Sequence, residues 1–156
     1  MEENNIVSER AAVFIVKDGA ILLMHRIKNG REYYAVPGGK VEDGETPEQA
    51  ARREAKEETN LDVVIGEKAM EFEREIYESD GEKNYHGIDD GAVKEYFFLV
   101  DSFSGEVALG GPEMERNSES NHYALKWVSF DDLPSVELLP PNTKNFLVER
   151  FCKAFV

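Results

Sequence analysis

Residues 37–61 read Pro-Gly-Gly-Lys-Val-Glu-Asp-Gly-Glu-Thr-Pro-Glu-Gln-Ala-Ala-Arg-Arg-Glu-Ala-Lys-Glu-Glu-Thr-Asn-Leu. The stretch predicts a helix with marked ends. Thr46 is a suitable N-cap, Pro47 takes the first helical position, and Gln49 completes a T-x-x-Q capping box. The helix should run to about Thr59, where Asn60, second only to glycine in a left-handed cap, closes it. On it, Glu54, Glu57 and Glu58 share one face: at about 100° per residue, Glu57 and Glu58 lie roughly 60° and 40° to either side of Glu54. Like charges at i,i+3 and i,i+4 repel, and the last turn is where the macrodipole disfavours anions. A helix kept only for stability would place Lys or Arg there. A solvated acidic face is the plain reading; a divalent cation is the positive partner that would explain the cluster.

The same helix carries Ala50, Ala51 and Ala55 beside the glutamates, so it can lie close to a sheet. Glu48, Gln49, Arg52, Lys56 and Thr59 share the opposite face, expected to be solvated. Upstream, Ala11–Val16 and Ala20–His25 read as two β-rich runs joined by Lys17-Asp18-Gly19, whose Asp-Gly pair signals a hairpin. Glu32–Val36 is a short strand running into Pro37-Gly38-Gly39, and Glu42-Asp43-Gly44 is a second turn. Downstream, strands are expected at Asp62–Glu75, Glu95–Asp101 and Tyr123–Phe130, and a core-packed helix over Asn142–Phe155. Two long polar loops, Tyr77–Ala92 and Leu109–Asn121, separate the strands; loops of that length in a compact domain are usually functional or disordered. Strands mixed with two helices indicate an α/β sandwich.

Length and composition narrow the function classes. A chain of 156 residues, 41% hydrophobic, is expected to form one domain over residues 1–156. The acidic start, with no basic leader and no run of about 18 apolar residues, is expected to be neither a signal peptide nor a membrane span. A single cysteine, Cys152, excludes an internal disulfide framework and fits a reducing cytoplasm, with packing as its expected role. The net charge of −14 repels nucleic-acid polymers and anionic membranes. A small phosphorylated substrate remains compatible, because a bound metal would reverse the local sign.

Written as a pattern, the opening stretch is Gly39-x5-Glu45-x7-Arg53-Glu54-Ala55-x-Glu57-Glu58-x-Asn60-Leu61. It closely resembles the Nudix box, G-x5-E-x7-R-E-U-x-E-E-x-G-U, with U aliphatic. Every charged position matches; Asn60 stands in for glycine, and Ala55 is a small member of the aliphatic class. Asn tolerates the left-handed conformation, so that departure is expected to cost some stability and no activity. The box covers about 23 residues, and the flanking strands and final helix resemble a Nudix domain over nearly the whole chain. The resemblance implies an α/β/α sandwich with a mixed β-sheet, a metal-binding helix after the Gly-Gly loop, and a C-terminal helix.

It also implies a Mg²⁺-dependent hydrolase, with Mn²⁺ as a substitute ion, that cleaves a phosphoanhydride bond in a nucleoside diphosphate linked to another moiety. A nucleoside triphosphate, as in MutT-like enzymes, is the leading expectation; dinucleoside polyphosphates, ADP-ribose and nucleotide sugars stay open. Glu57 and Glu58 would be the principal metal ligands, with the Gly38 carbonyl as another and Glu54 as ligand or base. Arg53, one turn before Glu57, would orient its carboxylate, and Glu45 would brace Arg53 or the loop. Gly39 belongs to the same loop. The oxygen-rich set independently suits Mg²⁺, which is usually shared between carboxylates and substrate phosphates. The rival is a catalytically inactive Nudix-fold module that senses nucleotides or binds a partner.

Outside the box the sequence says less. An additional loop carboxylate would come from Glu113, Glu115 or Glu119, with a lean to Glu119. Tyr33 and Tyr34 could stack on a base, with one of the two packed inward. Tyr85 and His86 sit in a polar loop; His25 and His122 are expected to be structural, and Trp127 to be core. The residues are compatible with a homodimer.

Overall fold

The computed structural model describes residues 6–75, 91–110, 118 and 120–152. Strand β1 (Ile6–Phe14) is followed by the short β2 (Val16–Lys17) and by β3 (Ala20–Lys28). The turn between β2 and β3 places Asp18 at φ 51° and Gly19 at φ 78°, two consecutive left-handed residues of the kind a tight hairpin requires. β4 (Arg31–Ala35) and β5 (Gly38–Lys40) lead to helix α1 (Pro47–Thr59). Then come β6 (Asp62–Glu75), β7 (Ala92–Ser104), β8 (Asn121–Ser129), a 3-10 turn at Leu133–Ser135, β9 (Leu138–Leu139) and helix α2 (Pro141–Phe151).

The strands form two mixed sheets. The first has the order β5-β1-β7-β6, in which β1 and β7 run parallel and the other pairs antiparallel. In the second, β3 pairs with β2, β4 and β8, and β9 adds to β4 in parallel. The expected strand over Asp62–Glu75 is found with those bounds; β7 extends beyond Glu95–Asp101 at both ends, and α2 stops at Phe151, short of Phe155.

Alternation along β1 explains the layering. Ala11, Val13 and Ile15 pack with Ala50, Ala51 and Ala55 of α1 and with Leu61, Val63 and Phe98. Ala12 and Phe14 point the other way, into a second cluster with Leu23, Phe97, Phe130 and Leu147 of α2. Both faces of the strand are buried, which is why it reads as a continuous apolar run. Phe14 stacks between Phe97 and Phe146, with ring centroids 5.4 and 5.7 Å away. Cys152 is buried and its thiol donates to the Phe130 carbonyl, the packing role expected of it.

Two expectations need correction. Trp127 is 39% exposed: β8 pairs only with β3 among the described strands, so one flank of the indole has no neighbouring strand, and its ring rests on Phe103 at 6.1 Å. Thr59, expected on the solvated face of α1, is fully buried. Its hydroxyl donates back to the Ala55 carbonyl and accepts from the Leu61 amide, and the chain after β7 covers it.

Candidate active site

The two ends of α1 are built as the local chemistry requires. Thr46 accepts from the Gln49 amide at 3.1 Å while the Gln49 side chain accepts from the Thr46 amide at 2.9 Å, a complete capping box. Asn60 closes the helix in the left-handed conformation, φ 68°, its amide donating to the Lys56 carbonyl. The helix lies on β1 through three alanines with no exposed surface, so its glutamate-bearing face meets the edge strand β5.

Arg53 organises that face. Its five N–H donors are all engaged. Nε and Nη2 grip the two oxygens of Glu45 at 2.8 and 2.9 Å, and Nη2 also donates to the Lys40 carbonyl at 2.9 Å. Nη1 donates to Glu54 at 2.9 Å and to Glu57 at 3.2 Å. Glu45 further accepts from the Glu42 amide at 2.9 Å. The Arg53 guanidinium and, after it, the Glu42 amide pull the Glu45 carboxyl down to about 2. The same partner, Glu45 foremost, holds the Arg53 proton more tightly than usual.

Gly38 and Gly39, expected in a loop, form the first two residues of strand β5, and Glu54 and Glu58 turn toward them. Glu58 is 7% exposed and its Oε2 accepts from the Gly38 amide at 2.8 Å. Gly39 faces Glu54 so closely that a Cβ there would lie 2.3 Å from the carboxyl carbon. Burial pushes the Glu54 carboxyl above its usual range, against the opposing pull of Arg53. Antiparallel ladder bonds link Val13 N to Pro37 O and Val41 N to Glu9 O. Because such bonds alternate along the ladder, the N–H and C=O of Gly38 point away from β1, toward the helix. Glycine is needed at both positions for close approach, not for an unusual φ; the tightest contacts at Gly38 are backbone and Cβ atoms of Ala11 and Ala12 at 2.5 to 2.6 Å.

The sequence-named residues Gly38, Gly39, Glu45, Arg53, Glu54, Glu57 and Glu58 thus converge on one loop–helix junction. Among the described residues, no group of three or more His, Cys, Asp or Glu side chains is drawn together tightly enough to hold a metal ion. The reason is visible: Arg53 bridges Glu54 and Glu57, and Glu58 is engaged by Gly38. The donor set nonetheless fits a hard divalent cation, being all oxygen and placed where a partly buried Glu54 lacks full compensation.

Tyr34 stands apart from this junction. It is half-buried on β4 opposite His25, ring centroids 4.8 Å apart, and burial with Glu32 and Asp132 raises its hydroxyl. Tyr33 is the inward member of the pair, 5% exposed. His25 is buried with Nε2 2.7 Å from Glu32, and His122 packs edge-on against it. Glu113, Glu115, Glu119, Tyr85 and His86 lie outside the described residues.

Sequence reasoning missed two contributors. One is the Lys40 carbonyl, which fixes Arg53 by backbone alone and leaves no mark on residue type. The other is the segment after β7: Ala108 N–H donates to Thr59 O at 2.9 Å, Gly110 N–H to Glu58 O at 3.2 Å, and Asn60 Nδ2 to Glu106 O at 3.0 Å. Its only signal was glycine at 105 and 110 after an apolar run.

Comparison with known proteins fits this geometry. The chain is 32% identical over 123 residues to the oxidized purine nucleoside triphosphate hydrolase of Danio rerio, spanning 78% of this chain and 66% of that protein. It is 30% identical over 107 residues to the 8-oxo-dGTP diphosphatase of Haemophilus influenzae, 67% of this chain and 69% of that one. The crystal structure of a MutT Nudix hydrolase from Burkholderia pseudomallei superposes with a TM-score of 0.63 at 27% identity, covering 88% of this chain and 94% of that one. The family model for the NUDIX domain matches residues 8–149, and the chain accordingly belongs to the Nudix family.

Proposed function

We propose that this chain is a Mg²⁺-dependent pyrophosphohydrolase, with Mn²⁺ able to substitute, that acts on a small nucleotide in which a nucleoside diphosphate is linked to another group. A nucleoside triphosphate is the leading substrate class, supported by the names of the Danio rerio and Haemophilus influenzae relatives. The observation that carries the reading is the placement of Glu58 against Gly38 and of Glu54 against Gly39 on β5, with Glu57 tied to Glu54 by a fully engaged Arg53.

Glu57, Glu58, Glu54 and the Gly38 carbonyl would hold the metal. A bound divalent ion supplies charge neutralisation at the pyrophosphate oxygens and a water more acidic than bulk. The chain's own residues do the positioning. Arg53, locked by Glu45 and Lys40, fixes the rotamers of Glu54 and Glu57 before substrate arrives. Glu54, whose proton affinity is raised by burial, is suited to accept a proton from the attacking water at its carboxylate. Little covalent work is left to the protein, because phosphoryl chemistry depends mostly on placement and electrostatics. The inactive-module alternative is disfavoured by the intact set of box carboxylates. We further propose a single domain in the cytoplasm with no nucleic-acid or membrane partner; among the described residues no helix is long and apolar enough to cross a membrane.

The test is turnover of a nucleotide panel with Mg²⁺, read as phosphate or pyrophosphate release. Glu57→Gln and Glu58→Gln should each lower the rate by at least about 100-fold, the scale of losing a first-rank electrostatic group. Full activity in both variants, or no turnover of any nucleotide by the parent chain, would sink the proposal.

A further inference from the structure

Helix α1 ends against its own electrostatics. Its last turn carries two glutamates, and its final carbonyls have no donors within the helix. Such a turn frays unless something outside holds it. Here the chain leaving β7 does so. Gly105, at φ +103°, brings residues 105–110 back across the helix end. Ala108 N–H then takes Thr59 O, and Gly110 N–H takes Glu58 O. Gly110 passes so near that a Cβ would sit 2.5 Å from the Glu57 carbonyl. Asn60 adds a side-chain bond, Nδ2 donating to Glu106 O at 3.0 Å.

We propose that residues 105–110 are a clamp on the last turn of α1, with Asn60 as its side-chain latch and Gly110 as its point of closest approach. Both are positioning residues for Glu57 and Glu58, an assignment that rests on the metal-site reading above. Position 60 is one of the two at which this chain departs from the Nudix box, the other being the small Ala55. Glycine at position 60 would adopt the same left-handed backbone at less cost, but it has no amide to reach Glu106. Asparagine therefore exchanges some backbone ease for a tether between the helix end and the strap. The strap bonds the carbonyls of Glu58 and Thr59 and passes against that of Glu57, so the tether reaches the two carboxylate-bearing residues through the strap and the helix backbone.

The experiment compares Asn60→Gly, Gly110→Ala and, as a control on an exposed strap side chain, Val107→Ser. Amide hydrogen exchange by NMR is measured on the metal-free proteins, and Mn²⁺ affinity by calorimetry. In Asn60→Gly the amides of Ala108, Gly110 and residues 57–60 should exchange roughly fivefold faster, the factor one net hydrogen bond is worth, while those of Ala50 and Ala51 hold their rates. Mn²⁺ binding should weaken by a similar factor, while the thermal midpoint barely moves because the easier left-handed backbone of glycine offsets the lost bond. Gly110→Ala should change both readouts in the same direction and further; Val107→Ser should change neither. Unaltered exchange at residues 57–60 in Asn60→Gly would overturn the clamp. Faster exchange with Mn²⁺ affinity within twofold of the parent would overturn the positioning role. If Gly110→Ala does not fold, Asn60→Gly alone decides. A parent protein that binds no Mn²⁺ at all would refute the metal reading and the positioning role with it, while the exchange data still judge the clamp separately.

Discussion

Adding one methyl group at Gly39 should separate activity from stability. An alanine Cβ there would lie 2.3 to 2.5 Å from the carboxyl atoms of Glu54, whereas ordinary contact begins near 3.4 Å. The obstructing atoms are the end of a flexible side chain, so Glu54 yields by about 1 Å and the backbone stays. The displaced carboxylate loses its 2.9 Å bond to Arg53, worth about 1 kcal/mol net. For a chain of this size, that lowers the thermal midpoint by roughly 2–4 °C. The rate suffers more, because a shift of about 1 Å in a positioned group can cost on the order of 100-fold. Gly38→Ala is the contrast. There the Cβ would meet Ala11 O and Ala12 Cα at 2.5 and 2.6 Å, atoms of β1 that cannot step aside, so β5 must separate from the sheet. Overpacking of that kind costs typically 1–3 kcal/mol or more. The assay is nucleotide turnover with Mg²⁺ alongside thermal denaturation of both variants. Gly39→Ala retaining a rate within threefold of the parent would refute the placement of Glu54, and Gly39→Ala falling apart while Gly38→Ala stays firm would refute the packing argument.

Arg53→Lys keeps the charge but cannot fill five directed bonds; it should lower turnover about 10- to 100-fold with the fold intact, judged by kinetics beside circular dichroism. Glu45 bears on pH dependence. Its carboxyl titrates at about 2 in the folded chain against an ordinary 4.5, so the Arg53 pairing stabilises the fold above about pH 4.5 and that contribution is lost as pH falls toward 2. Urea midpoints of the parent and Glu45→Gln should therefore differ most at neutral pH and draw together below pH 4.5; a gap that widens on acidification would contradict the ion-pair assignment.

Helix α1 was legible in the sequence because everything that defines it is local: a capping box, a proline at its start, an asparagine at its end, alanines on one side. The carboxylate cluster followed from the same periodicity. What the sequence hid depends on distant partners or on the backbone. The division of strands into two sheets follows from β1 pairing with β7, far along the chain, which alternation alone does not reveal. The burial of Thr59 and the strap over it arise from the main-chain donors of Ala108 and Gly110, groups every residue but proline possesses. Trp127 reads as core by residue type, yet sits on a strand paired along a single edge.

That parallel pairing of β1 with β7 also bears on how the chain comes together in time. Arg10 lies opposite Glu95, and the intervening chain includes the whole loop–helix junction. During synthesis β1 emerges first and waits for a partner, its apolar residues exposed, while the β2–β3 hairpin and α1 can form from near neighbours. Closing so long a loop is the entropically demanding step, which puts refolding in the slow range of non-local topologies. Trp127, resting against Phe103 of β7, is a natural fluorescent reporter of that late closure. On this view the carboxylate site is not finished when its helix forms; it matures only when β7 arrives beside β1 and the strap beyond it settles onto the helix end.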